Sequence, residues 1–485
     1  MPHTHYIIEP MAEVINAFQR PIRTLLRLAL LGFLAKSLCA LSAELPDSVS
    51  KALKEAGISS QNVAVVVQAV DADTPIIRHN ELQAMNPAST SKLLTTYAAL
   101  ELLGPAYTWK TDALADATPG KGLLNGDLYL RGSGDPKLTL EQFWLLLRQL
   151  RTRGISEING DLVLDRSAFA LPTHDAAAFD NEPLRPYNAG PDALLVNLKS
   201  VRLSLMTTTG KNSVQVTNDT PSDDVRVDNR LQLTQEGCGD WREKIKTKIS
   251  GLNIELTGSY SANCGEKALY LSPWSPNTQV EQLFRALWRE LGGTLRGKVR
   301  DGLTPASARN IATLESPALS EIIRDINKFS NNVMARQVFL TLAAQRPATA
   351  EGARQRINTW LNDKGLNIPA LILDNGSGLS RMERISAEGL SQLLLAAWKS
   401  PVMPELMSSL PVAGIDGTLK KRLRNGATAG RAHLKTGYLD NVRAIAGYVL
   451  DSNDKRWVVV FLINDPKSRS GKPAMDEMLR WVAEH

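Results

Sequence analysis

At 485 residues the chain is too long for one ordinary hydrophobic core, so two or three domains are expected. An apolar content of 43% and a charged content of 22% are ordinary globular values and exclude large-scale disorder. The formal charge of +6 is small for this length and contains no run of like charges, so the footprint of a nucleic-acid binder is missing.

The first 43 residues differ in texture from the rest. Arg20, Arg23 and Arg27 lead into LALLGFLAKSLCALSAE, which reads as a secretory signal, with Met11 as an alternative start and cleavage near Ser42 or Ala43. An uncleaved anchor is the competing reading. Against it, Lys36 interrupts an apolar run shorter than the roughly 20 residues a spanning helix needs. Leu38 precedes Cys39 where lipid attachment calls for a small residue, and no other segment is expected to cross a membrane. Cleavage leaves Cys238 and Cys264. In an oxidising compartment the pair reads first as one disulfide closing a loop of about 25 residues, with two unpaired thiols as the alternative. The six histidines are scattered, two of them within the signal, so no metal site is expected.

After the signal, SVSKALKEAGIS predicts a short amphipathic helix and NVAVVVQAVDAD a buried strand ending in a turn. PASTSKLLTTYAALELLG predicts a helix stopped by Gly104 and Pro105. From about residue 106 short strands take over, among them GDLYLRGSGDP, GDLVLDRSAFAL and the Thr-, Ser-, Asn- and Val-rich stretch from Asn197 to Gly258. This region reads as inserted β-rich domains, one nested in another. Helical periodicity returns with VEQLFRALWRELGG and again with SPALSEIIRDINKFSNNVMARQVFLTLAAQ, where Ser316 can cap and Pro317 occupy the first turn. AEGLSQLLLAAWKS adds a helix. RAHLKTGYLD, NVRAIAGYVLD and RWVVVFLIND then predict three strands joined by tight turns, closed by the helix AMDEMLRWVAEH. The order implies one α/β catalytic domain whose sheet joins the early strand to the three late ones, split by the insertion.

Ser89 and Lys92 in PASTSK are helical neighbours at i and i+3. A serine hydroxyl attacks only when a base takes its proton, and lysine is a base only when neutral, which burial and a helix N-terminus both favour. The pair alone does not separate a nucleophile from a capped helix end, because serine precedes lysine by three also at Ser48 and Ser452. The later motifs carry the argument. SNN at Ser330 to Asn332 interrupts a helical region, and KTG at Lys435 to Gly437, which occurs once, lies on a strand. S-x-x-K, an S-x-N element and K-T-G in that order are the catalytic set of penicillin-binding proteins and serine β-lactamases.

On these motifs, and on YLRGSGDPKL, GDLVLDRSAF, PYNAGPDALLVN, DNGSGLSR and GIDGTL, the chain resembles the class C low-molecular-mass penicillin-binding proteins. These form the D-alanyl-D-alanine carboxypeptidase/endopeptidase family, with a large insertion that matches the 240 residues between Lys92 and Asn332. The resemblance implies an α/β fold with a penicillin-binding-protein/serine β-lactamase-like transpeptidase domain, an antiparallel sheet with helices on both faces, carrying inserted β-rich domains. The expected boundaries are 44–106 and 299–485 for the catalytic domain, 107–196 and 269–298 for a second domain, and 197–268 for a nested third.

The resemblance also implies roles. Ser89 attacks the carbonyl of the penultimate D-alanine and neutral Lys92 takes its proton. Ser330 relays a proton to the leaving amine, and Asn332 positions the peptide and Lys92. Lys435 and the Thr436 hydroxyl hold the terminal carboxylate, Gly437 admits close approach, and the N–H groups of Ser89 and Tyr438 form the oxyanion hole. Tyr438 stands where smaller residues are commoner and is expected to narrow the cleft. Asp165 and Arg381 match stretches that contact the stem peptide, with a turn cap and a surface ion pair as their respective alternatives. Lys328, Asp416 and Asp135 belong either to the surroundings of the site or to turns, and His433 is read as a neighbour. No metal or organic cofactor is called for. The implied partners are peptidoglycan stem peptides, with β-lactams as covalent inhibitors, in the periplasm and without a stable membrane anchor; the oligomeric state stays open. A β-lactamase-like hydrolase and a non-catalytic peptidoglycan-binding protein are the competing readings.

Overall fold

Seven consecutive buried residues, Val63–Ala69, form the strand around which the catalytic region assembles. Ala64 and Val66 pack into one apolar core, whereas Val63, Val65, Val67 and Ala69 pack into another. An unbroken apolar run follows from that arrangement, since a strand alternates its side chains and here both faces are covered. The structure, a computed structural model, describes residues 44–207 and 213–485. The signal segment and Cys39 lie outside the described residues. Among those described, no helix is long and apolar enough to cross a membrane.

The strand pairs antiparallel with Arg456–Asn464, in the register Val63↔Ile463 to Ala69↔Trp457, and on its other side with Ile77–His79. Val442–Leu450 and Ala432–Leu439 complete a five-stranded antiparallel sheet, with Ala432–Leu439 at an edge. On one face Val49 and Leu53 of the helix Asp47–Glu55 join Met475, Met478 and Val482 of Lys472–Glu484. The other face is covered by Lys92–Leu103, Leu319–Phe329, Asn332–Thr341 and Ala387–Trp398. Lys92–Leu103 is the central helix: every residue from Lys92 to Leu100 is buried, so it shows no polar face, and it ends at Gly104 with φ of +86°.

Among the described residues, the insertion holds four further sheets. A five-stranded mixed sheet is built from Lys110–Ala115, Leu128–Gly132, Leu162–Asp165, Val299–Asp301 and Arg309–Glu315, backed by the helices Leu140–Thr152 and Pro276–Glu290. Arg309–Glu315 pairs antiparallel with Lys110–Ala115, and Val299–Asp301 pairs parallel with Leu162–Asp165. Both of these later strands were expected on the catalytic side of a boundary at 299. Their hydrogen bonds join them to the insertion, and we propose the return crossing after Glu315. The stretch from Val201 to Leu271 builds two three-stranded sheets around their own small core, in which Cys238 and Cys264 are joined in a disulfide.

Ser316 does not cap the helix Leu319–Phe329. Ala318 holds that position, while the Ser316 hydroxyl accepts from the Trp109 N–H at 3.0 Å and donates to the Pro317 carbonyl at 2.8 Å.

Candidate active site

The turn Ala88–Ser91 precedes the central helix as one turn of 3-10 helix rather than as α-helix. In a 3-10 turn residues i and i+3 eclipse, which sets Ser89 directly over Lys92. Ala88 enters the turn with φ of +46°, a conformation held by close packing. A Cβ on Gly378, itself at φ of +75°, would lie 2.0 Å from the Ala88 carbonyl oxygen. A Cβ on Gly437 would lie 2.7 Å from the Pro87 carbonyl oxygen and 3.1 Å from the Ala88 side chain. Gly437 thus admits the turn that carries Ser89 close to the edge strand.

Lys92 Nζ lies 2.9 Å from Ser89 Oγ and 2.7 Å from Asn332 Oδ1, and it also meets the Ser377 carbonyl oxygen. The amide oxygen and the carbonyl can only accept, so together they take two amine hydrogens. A neutral amine then has its lone pair left for the Ser89 hydroxyl. Burial, reinforced by the charge of Lys435, holds this amine well below the ordinary lysine range, with Glu383 opposing the shift.

The two helices flanking SNN explain how Ser330 and Asn332 arrive. Leu319–Phe329 ends at Ser330 in the left-handed conformation, φ 57° and ψ 38°. Asn331 then caps Asn332–Thr341, its side chain accepting from the Met334 N–H at 3.0 Å. Lys435 Nζ donates to Ser330 Oγ at 2.8 Å and to the Thr436 carbonyl at 2.7 Å. Lys435 is fully buried, and burial lowers its pKa to about 7. The hydroxyls of Thr436 and Thr418 share a hydrogen bond of 2.9 Å. Thr418 is set by Asp416, which accepts from Lys328 Nζ at 2.6 Å and from the Val412 N–H at 2.8 Å. Lys328 and Asp416 thus support the loop facing the KTG strand.

These bonds form two sets, Ser89–Lys92–Asn332 and Ser330–Lys435–Thr436, which the turn from Ser330 to Asn332 holds side by side at the edge strand. Tyr438 follows Gly437 along this edge strand. It alternates with Gly437 onto the same sheet face as Thr436, is 47% exposed, and lies with the Arg443 guanidinium 3.6 Å from its ring centroid.

Asp165 is buried at the end of the strand Leu162–Asp165. One carboxylate oxygen accepts from the Ser167 N–H at 3.0 Å and the other from the Thr304 N–H at 2.8 Å, the geometry of a turn cap. Those hydrogen bonds oppose the effect of its burial and leave its pKa lowered. Arg381 is exposed, 4.8 Å from the Phe179 ring centroid and 3.8 Å from the Asp440 carboxylate. It lines a cavity of about 640 Å³ together with Asp175, Phe179, Arg336, Asp374 and Leu379. Phe179 and Leu379 pack against Ala88, which places this cavity beside the nucleophile turn. His433 is partly buried next to the cluster and burial lowers its pKa. Asp135 is buried, accepts from the Lys137 N–H at 2.7 Å, and is raised by burial to about 6.

Three participants escaped the sequence reading. Ser377 contributes a main-chain carbonyl, to which no side-chain motif points. Asn375 holds that residue in place, its side-chain oxygen accepting from the Ser377 N–H at 3.0 Å and the Ser377 hydroxyl at 2.6 Å. Glu383, only 1% exposed, accepts from the Asn375 N–H at 3.3 Å, and burial raises its carboxyl. The stretch DNGSGLSR was the available signal for the first two; Glu383 had none.

Known proteins share this architecture. The crystal structure of penicillin binding protein 4 (dacB) from Haemophilus influenzae aligns with a TM-score of 0.75 at 23% identity, covering 89% of this chain and 99% of that one. Its complex with a novel β-lactam aligns with a TM-score of 0.70, also at 23% identity, over 90% and 100% of the two chains. In sequence, a D-alanyl-D-alanine carboxypeptidase from an Actinomadura species is 28% identical over 427 residues, 84% of this chain and 78% of its own. The D-alanyl-D-alanine carboxypeptidase DacB of Haemophilus influenzae is 25% identical over 408 residues, 83% and 85% of the respective chains. With its family model matched over residues 45–485 and the serine–lysine cluster assembled at the sheet edge, the chain belongs to the D-Ala-D-Ala carboxypeptidase 3 (S13) family.

Proposed function

We propose that the chain is a serine D-alanyl-D-alanine carboxypeptidase that hydrolyses peptidoglycan stem peptides, and D,D cross-links between them, through an acyl-enzyme on Ser89. The observation that carries the mechanism is the environment of Lys92 Nζ, where burial and the neighbouring Lys435 disfavour the charged amine and two acceptors take its hydrogens, leaving its lone pair toward the Ser89 hydroxyl.

Ser89 Oγ attacks the carbonyl carbon of the penultimate D-alanine as its proton passes to Lys92 Nζ. The N–H groups of Ser89 and Tyr438 receive the developing oxyanion, each worth about 3 kcal/mol in comparable sites. The C–N bond then breaks as the proton held by Lys92 passes by way of the Ser330 hydroxyl to the leaving amine, which returns Lys92 to its neutral form while Lys435, bonded to that hydroxyl, keeps its charge. Lys435 and the paired hydroxyls of Thr436 and Thr418 hold the terminal carboxylate, a charge-assisted contact. Water hydrolyses the ester and the proton returns to Ser89. The cavity beside Ala88, with Arg381 and Asp175 at its wall and Phe179 as its apolar surface, takes the acyl-side stem peptide. Penicillin acylates the same serine because its carboxylate and strained amide mimic the D-alanyl-D-alanine end. We place the enzyme in the periplasm, on the strength of the signal-like leader and of a substrate found in the cell wall.

Digestion of purified sacculi by wild type and Ser89→Ala, with products resolved by mass, tests the reading. Wild type should release D-alanine and Ser89→Ala none; equal release by both would refute it. Rapid turnover of penicillin without D-alanine release would favour a β-lactamase-like hydrolase instead. Binding of pentapeptide by wild type without cleavage would favour a peptidoglycan-binding protein.

A further inference from the structure

A second recess lies on the Thr436 face of the KTG strand. It has a volume of about 250 Å³ and is lined by Lys421, Arg422, Arg443 and Lys472, with the Thr418 and Thr436 hydroxyls and Tyr438 completing its wall. We propose that this recess is an anion subsite that binds a carboxylate of the departing peptide, beyond the carboxylate held at Lys435. The inference rests on the function proposed above and adds a recognition element on the leaving side.

Four observations support it. The recess brings four cationic side chains together, and the ion pair at its wall engages only Arg422, through Asp476 at 2.5 Å. That bond uses Arg422 Nε, while Arg422 Nη2 is buried with no hydrogen-bond partner. A buried guanidinium N–H without an acceptor is costly, so Arg422 keeps donor capacity beyond its bond to Asp476. Arg443 is held rather than free, its guanidinium seated over the Tyr438 ring at 3.6 Å. Finally, Thr436 and Thr418 are common to this recess and to the carboxylate clamp at Lys435, so one ligand can reach both. The volume lies below the roughly 300–1,000 Å³ of small-molecule pockets and suits one acidic group rather than a whole substrate.

A D-alanyl-D-alanine chain end releases an amino acid with a single carboxylate, which the Lys435 clamp occupies. A cross-linked dimer releases a peptide with further carboxylates, so only the dimer can fill the recess.

The test compares steady-state kinetics of the purified full chain on a pentapeptide ending in D-alanyl-D-alanine and on a D,D-cross-linked muropeptide dimer. Lys421→Ala/Lys472→Ala should raise KM for the dimer about tenfold with kcat nearly unchanged. Pentapeptide hydrolysis and penicillin acylation should stay within about twofold, which also reports an intact fold. Lys246→Ala/Lys248→Ala, with the same charge change on the exposed edge of the strand Ile245–Ser250 in the insertion, should leave both substrates alone. Inorganic phosphate should raise the dimer KM in wild type but not in the double variant. Equal losses on both substrates, an equal effect of the remote pair, or an unchanged dimer KM would overturn the subsite. Phosphate binding with no effect on dimer kinetics would assign the recess to a phosphate-bearing ligand and also overturn it. Wild type that cleaves neither substrate would instead refute the proposed function.

Discussion

Asn332 reaches Lys92 from 240 residues further along the chain and sets its amide oxygen 2.7 Å from the amine. A neutral acceptor at that point accommodates an uncharged lysine, whereas a carboxylate there would stabilise the ammonium form. Asn332→Asp should therefore raise the pKa of Lys92, move the acidic limb of the acylation profile to higher pH, and slow acylation at pH 7 about 100-fold. Stopped-flow labelling with fluorescent penicillin across pH measures this. A limb that stays in place would show that Lys92 is not the group being titrated.

Lys435 makes the opposite demand, since it must be charged to hold a carboxylate. Burial lowers it to about 7, so the protonated form is lost as pH rises through that value in the free enzyme. A bound carboxylate favours the protonated form and raises the pKa again. For D-alanyl-D-alanine peptides kcat/KM should fall above about pH 7, while the corresponding limb of kcat should lie at least about one unit higher. Coincident limbs for the two parameters would remove Lys435 from this role.

The two glycines that press on the nucleophile turn differ in severity. Gly378→Ala meets a positive φ and a backbone oxygen at 2.0 Å, whereas Gly437→Ala meets an oxygen at 2.7 Å without a positive φ. Gly378→Ala should abolish penicillin labelling and lower Tm. Gly437→Ala should slow labelling about tenfold with a smaller fall in Tm. Calorimetry and labelling on the same preparations check the order, and an equal or reversed order would contradict the packing described.

Asp135 has a folded-state pKa of about 6, above its ordinary value of 3.8, so its ionised form costs stability at neutral pH. That cost is present above about pH 6, shrinks as pH falls and is gone below 3.8. Asp135→Asn, which keeps an acceptor for the Lys137 N–H, should stabilise the protein by about 2 kcal/mol at pH 7.5 and by nothing near pH 4. Denaturant titrations at the two pH values decide it; a pH-independent gain would point to a packing effect.

What could be read from the sequence was whatever local chemistry determines. Val63–Ala69 announced a strand covered on both faces, and Ser330 to Asn332 announced a break between helices because a serine and two asparagines suit a helix end and a cap. The sheet that Arg309–Glu315 joins could not be read from its residues for a physical reason. Its residues suit any half-exposed strand, and only hydrogen bonding to Lys110–Ala115, about 200 residues earlier, selects its sheet. Asp165 was undecidable in the same sense, since an aspartate after a strand serves a ligand or a turn equally well. Within the site, the motifs pointed to Ser89, Lys92, Ser330, Asn332 and Lys435, which the fold brings together. They were silent on Ser377, because a carbonyl oxygen belongs to every residue alike.

The pairing of Val63–Ala69 with Arg456–Asn464 has a consequence for biosynthesis. The two strands are separated by almost 400 residues, while the sheets of the insertion close within the contiguous stretch from Lys110 to Glu315. Closure over such a span costs more than the shorter closures within the insertion, which places the insertion ahead of this pairing in the order of assembly. Lys435 and Ser89 meet only once the last strands have docked. Ser89 and Lys435 can therefore be brought together only once the chain as far as Asn464 is present, which places their meeting late in assembly.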